Sequence, residues 1–320
     1  MEHIKPQSKL QHFPIMLFAI TMGFGGLTLA YKKAAAVFSI PMIFYHVLTF
    51  VISILALTIF CLYFLKIIKY PKMVLQEFNH PIKINFFATI SMSLVLLSNI
   101  FREMPTFSLV LFSIGLGFQV FVAFYVIAYW LNKNIEMAHS NPAWFIPVAG
   151  NLLVAASGEG FVDEYVLMFF FSLGIFFWII LTVILFNRII FHGMLAQKFL
   201  PTLAIFIAPP AVAMLGYLNI NGNVFDLFAK FLLNIAFIFA LLLFVLAKNF
   251  YKIQFFISWW AFTFPFAALT IAFLTAYEKT QYYLFEPLSF FSLVLTTMII
   301  AFVGLKTLGA ILRGDICKEE

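Results

Sequence analysis

Apolar and polar positions alternate along this chain in long blocks, not in helical or strand-like stripes. Uninterrupted apolar runs are separated by short clusters of charge. A charged side chain at the bilayer centre costs about 2.5–3.5 kcal/mol on insertion scales, so charges collect at the ends of spanning helices. A spanning helix needs about 20 residues. Ten candidates follow: Phe13–Tyr31, Ile43–Leu65, Ile84–Phe101, Phe107–Leu131, Trp144–Ser157, Tyr165–Phe186, Leu203–Leu218, Phe228–Ala247, Phe255–Tyr277 and Leu288–Leu312. The fifth and seventh are short, and the charges that flank them require both crossings. The pattern predicts an all-α integral membrane protein, one transmembrane domain over residues 1–320.

Odd and even runs differ. The even ones are Phe-, Leu- and Ile-rich on every side, as in YVLMFFFSLGIFFWIILTVILF, and free of interior proline. That composition suits lipid. Four of the five odd runs open on a proline, at Pro14, Pro81, Pro142 and Pro201, which gives a helical-hairpin repeat of about 60 residues. A proline in the first turn costs little, because its missing N–H would have no partner there. Interior prolines fall only in odd runs, at Pro147, Pro209, Pro210 and Pro265, and the first run carries Gly23, Gly25 and Gly26 instead. An interior proline frees a carbonyl and kinks the helix. In lipid this is tolerated where protein or a water-filled cavity satisfies the freed group. The expectation is five hairpins around a central pore, odd helices inside and even helices outside. The inner helices then point their positive dipole ends to one mouth, which favours anions.

Charge sets the orientation. With the N-terminus (about 1–12) and the tail (about 313–320) in the cytoplasm, 14 of the 19 Lys and Arg fall inside and 5 outside, while the acids split 6 and 7. Lys5, Lys252 and Lys318 belong to the inside set. The bias belongs to the cations, as the positive-inside rule requires. The net charge of +6 therefore reflects topology and headgroup contact, with no tract dense enough for nucleic acid. A hydrophobic fraction of 64% and a mean hydropathy of +1.05 agree. The polar start with no small-residue cleavage site predicts no cleaved signal peptide.

Candidate chemistry is sparse. No Asp, Glu, Lys, Arg or His lies near the middle of a run, which argues against a carboxylate relay. No nucleophile–base pair, phosphate loop or metal-ligand spacing occurs, so neither an enzyme nor a cofactor or metal is expected. His12, His80 and His139 read as interfacial groups. Cys61 and Cys317 are too far apart to expect pairing.

Three segments carry a resemblance. They are Asn141-Pro142-Ala143-Trp144-Phe145-Ile146-Pro147-Val148-Ala149-Gly150-Asn151, then Phe206-Ile207-Ala208-Pro209-Pro210-Ala211, and Trp259-Trp260-Ala261-Phe262-Thr263-Phe264-Pro265. In order and spacing the chain resembles the bacterial tellurite-resistance/dicarboxylate transporter family, TehA, and the related plant slow-type anion channels. The resemblance implies ten helices around one pore per protomer, a homotrimer, and a location in the bacterial inner membrane. It implies that Phe264 plugs the pore as a gate, with Gly23, Pro147, Gly150, Pro209, Pro210 and Pro265 shaping the pore-lining helices. Its expected activity is passage of small inorganic anions such as chloride and nitrate. The alternative is a secondary carrier exporting tellurite, sulfite or C4-dicarboxylates, with or without protons. One departure is the third run, which lacks the proline that relatives often carry near Ser91.

Overall fold

The computed structural model describes residues 8–250 and 253–317. Lys5, Lys252 and Lys318 of the charge count lie outside the described residues, as do most of the expected N-terminal segment and the end of the tail. Eleven α-helices occur among the described residues: α1 (Phe18–Phe38), α2 (Ile43–Lys69), α3 (Pro71–Phe78), α4 (Ala88–Ile100), α5 (Pro105–Asn132), α6 (Phe145–Ser157), α7 (Glu164–Phe191), α8 (Ala208–Ile220), α9 (Leu227–Val245), α10 (Thr263–Thr280) and α11 (Phe285–Arg313). No named strand occurs among these residues.

Among the described residues nine helical segments are long and apolar enough to cross a membrane, and Pro142–Ser157 is a shorter apolar helix. The seventh run, short in the sequence, extends to Gln197–Ile220 once its 3₁₀ stretch is included. The fifth reaches about 26 Å, from the rise per residue of its 3₁₀ and α parts, against a hydrocarbon core of about 30 Å.

The packing closes on itself. α1 packs on α4, α4 on α6, α6 on α8, α8 on α10, and α10 back on α1. Each of these five also packs on the helix that follows it, namely α2, α5, α7, α9 and α11. Burial follows the same division. In the segments built on α1, α4, α8 and α10, 67–78% of the most apolar window is buried, against 22–33% in the partners. α6 is buried almost throughout.

The five inner helices share a feature that hydropathy does not show. Each is preceded by a 3₁₀ stretch: Ile15–Leu17, Lys83–Phe87, Pro142–Trp144, Gln197–Ile207 and Ile257–Phe262. The prolines explain most of this. Pro147 and Pro265 are third in α6 and α10, and Pro209 and Pro210 are second and third in α8. They stand in the first α turn, where a missing N–H is tolerated and the chain upstream tightens into i→i+3 bonds. α4 has no such proline. There the Thr89 and Ser91 hydroxyls donate to the Phe86 and Ala88 carbonyls, offering the backbone a local alternative to α bonding.

The short helix α3 was not anticipated from the apolar runs. It is amphipathic and docks through a buried pair. Lys66 Nζ on α2 donates to Glu77 Oε2 on α3 (2.8 Å) and to the Phe13 carbonyl (2.8 Å), and the Tyr63 hydroxyl donates to the same Glu77 oxygen (2.9 Å). Lys66 is 1% exposed. Cys61 and Cys317 are both free thiols. Cys317, beyond the end of α11, has its thiol pKa raised by burial, against the pull of Lys9 and Lys66.

Candidate functional site: the interior of the inner ring

Three cavities lie within the ring of inner helices. The first opens at the end where these helices begin and has a volume of about 610 Å³. The beginnings of four inner segments border it, with His139 just before the α6 segment and the end of α11. Its rim is basic: His80, Lys83, His139, Lys198 and Arg313, with Asp315 paired to Arg313 at 2.9 Å. We call it the vestibule. The 3₁₀ and α dipoles of the inner segments all point their positive ends into it.

The second cavity lies deeper and is narrow, about 40 Å³, room for very few waters. Its wall is apolar apart from Thr89, Thr202 and Ser258. Each of these hydroxyls donates to a backbone carbonyl, of Phe86, Phe199 and Lys198 respectively. Their protons are therefore engaged, and this wall presents no free hydroxyl donor. The second cavity shares Met16, Ile257 and Ser258 with the vestibule.

The third cavity, about 290 Å³, lies toward the far ends of the inner helices. Lys32, Asn99 and Arg102 line it among apolar side chains. The Arg102 guanidinium sits 3.9 Å over the Phe161 ring and donates to the Glu159 carbonyl, and Lys32 lies 5.4 Å over the Tyr45 ring.

Phe264 borders both the second and the third cavity. It is 6% exposed and stands second in α10. Opposite it on α1 is Gly26, where an added Cβ would come within 3.3 Å of the Phe264 ring and 2.8 Å of Ala267 Cβ. Gly26 gives the ring its room.

Of the other residues singled out in the sequence, only Pro265 shares a cavity wall with Phe264. Gly23, Pro147, Gly150, Pro209 and Pro210 are outside the three linings. Gly23 lies against Thr263 and Trp260, so it sets the approach of α1 to α10. Gly150 lies against the Gln119 amide. Pro147, Pro209 and Pro210 are buried at the 3₁₀-to-α junctions. Gln119 was not anticipated. From the partner helix α5 it accepts from Ser91 Oγ (2.6 Å) and donates to the Pro147 carbonyl (2.9 Å), tying α4 to α6. Its signal was a lone amide amid an apolar run. No group of three or more metal-ligating side chains occurs among the described residues.

A basic-rimmed, apolar-walled interior among apolar helices, nine of them long enough to span a bilayer among the described residues, marks a multi-pass membrane protein. The chain belongs to the SLAC1 family, voltage-dependent anion channel, whose model matches residues 12–308. It is similar to the S-type anion channel SLAH3 of Arabidopsis thaliana, 29% identical over 319 residues, which cover 92% of this chain and 49% of that protein. It is also similar to the tellurite resistance protein TehA homolog of Haemophilus influenzae, 26% identical over 94% of this chain and 92% of the relative. An uncharacterized transporter of Methanocaldococcus jannaschii is 23% identical over 98% and 99% of the two chains. The chain spans about half the length of SLAH3 and 62% of SLAH2.

Proposed function

We propose that the three cavities are one path for small monovalent anions such as chloride and nitrate, and that Phe264 is its gate. Ten helices in five hairpins would then surround a central pore in the bacterial inner membrane. Both termini would be cytoplasmic, the vestibule would face the cytoplasm, and the protomers would assemble as a homotrimer. One observation supports the reading: Phe264 is the one residue common to the linings of the narrow cavity and the far one. A large ring in a narrow apolar passage blocks ions sterically and dewets the constriction, and a rotamer change reopens it. Basic groups at both mouths raise the local anion concentration, and the uncommitted apolar wall lets an anion leave as readily as it enters.

The test is current through purified protein in planar bilayers, with reversal potentials in asymmetric chloride and nitrate. Phe264→Ala is expected to raise anion conductance about tenfold or more, as follows if the ring contributes roughly 1.4 kcal/mol to the barrier. Unchanged conductance with intact folding removes Phe264 from the gate. A second reading, a carrier exporting tellurite, sulfite or C4-dicarboxylates, is supported by the similarity to a tellurite resistance protein homolog. Silence in both proteins, with uptake only under a pH gradient, would decide for the carrier.

A further inference from the structure

Behind the proposed gate, on the outer face of the same helix, lies an apolar groove of about 200 Å³. α9 and α11 both pack on α10, and the groove lies between the end of α9 and the middle of α11. Its floor is Phe262 and Phe266, and its walls include Phe244, Ile299 and Phe302. Phe262 and Phe266 flank Phe264 in sequence, and Phe264 borders the ring interior. The groove is thus the back of the segment whose front borders the narrow cavity. Phe244 and Phe302 are 45% and 49% exposed, so the groove opens on the perimeter, where this protein meets hydrocarbon.

The groove ends in interfacial chemistry on its vestibule side. Trp259 lines that part and donates its indole N–H to the Gln254 carbonyl (3.1 Å), and tryptophans near helix ends are the amphipathic rings that favour headgroup depth. Lys306, about one turn of α11 beyond Phe302, holds its ammonium 5.5 Å from the Phe302 ring centroid. Lys248 sits beside Ala247, which lines the groove. Both lysines are exposed, and neither makes an ion pair among the described residues. Basic groups at the end of an apolar cleft between membrane helices suit an anionic headgroup.

We propose that this groove binds one acyl chain of an anionic phospholipid from the leaflet on the vestibule side, with Lys306 and Lys248 holding the phosphate. The chain packs against Phe262 and Phe266 and braces the start of α10 from the lipid side. The site rests on the groove and its lysines, and it stands or falls independently of any anion current.

The experiment uses the full chain in phosphatidylcholine vesicles doped with phosphatidylglycerol that carries a photoactivatable group in its acyl chain. Cross-linked peptides are then mapped by mass spectrometry. Labelling is expected on the stretches around Ala247 and Ile299. It should fall about fivefold in Lys306→Gln, the loss of one headgroup contact. It should fall as far in Ala247→Trp, which fills the groove from an exposed position and leaves the lysines in place. Three results would overturn the proposal. One is equal labelling by the same probe with a choline headgroup, meaning ordinary boundary lipid. Another is labelling unchanged in Ala247→Trp. The third is rapid disulfide formation between chains of Ala247→Cys, meaning that a second copy covers the groove.

Discussion

Gly150 and Gln119 are a matched pair. Gln119 is 1% exposed and makes both of its hydrogen bonds across a helix interface, to Ser91 on α4 and to the Pro147 carbonyl on α6. An amide buried in a membrane interior must be satisfied in this way. The space it occupies is the space a side chain at Gly150 would need. Gly150→Ala is therefore expected to cost about 1–3 kcal/mol through overpacking. Gln119→Ala alone should cost a similar amount, by removing both hydrogen bonds that tie α4 to α6 and leaving a cavity where the amide stood. The two substitutions share one contact, so the double variant should be less destabilised than the sum by about 1 kcal/mol. Thermal unfolding of the four proteins in detergent checks this, and strict additivity would uncouple the pair. The sequence marked Gly150 as a residue with a purpose, because it sits in a recognisable segment. It could not show that the purpose is a glutamine thirty-one residues earlier, since one amide in an apolar run has several faces on which it could lie. Gly26, under the Phe264 ring, was legible as part of a glycine cluster but not as the member that faces that ring.

At the scale of elements, the apolar runs located the spanning helices well, because the cost of placing charge in hydrocarbon leaves little freedom. The 3₁₀ starts were less legible. A proline announces a break in α bonding without saying whether the helix bends there or tightens upstream, and α4 reaches the same form with hydroxyls. The helix α3 escaped notice because it is short and half polar, like any connecting loop. A buried ion pair fastens it to α2, beside the packing of Phe78 on Phe87 and Tyr125. Lys66→Met removes the ammonium and leaves Glu77 buried with the Tyr63 hydroxyl and the Ile15 N–H (3.4 Å) as its partners among the described residues. Breaking one side of such a pair costs about 3–5 kcal/mol, while replacing both sides with apolar groups is often close to neutral. Lys66→Met should thus lower the unfolding midpoint more than Lys66→Met combined with Glu77→Leu. The same ammonium holds the Phe13 carbonyl, so the single variant should also expose the segment before α1 to limited proteolysis. Equal midpoints for the single and double variants would show that the pair does not fasten α3.

For the whole molecule, closure of the ring was the inference furthest from any single residue. It rested on prolines confined to alternate runs, and the packing of α10 back on α1 agrees with it. Closure also gives the scattered cations a common direction. Lys198 in the 3₁₀ stretch before α8 and Lys32 near the end of α1 belong to different inner segments, yet each lines a cavity at one end of the ring. If these charges feed a conduction path, their effect must follow the Debye length, about 30 Å at 0.01 M salt and about 3 Å at 1 M. In the Phe264→Ala background, current in symmetric chloride should therefore fall less than in proportion as salt is lowered. Lys198→Gln removes positive potential from one mouth only. At low salt it should reduce the flow of anions that start from the vestibule more than the reverse flow, so the current rectifies. Lys32→Gln should rectify in the opposite sense. Both asymmetries should vanish near 1 M salt, where counterions screen each mouth. Current–voltage curves across that salt range make the comparison. Rectification that persists at high salt would mean the substitutions reshaped the passage, and no rectification at any salt would place these lysines off the path.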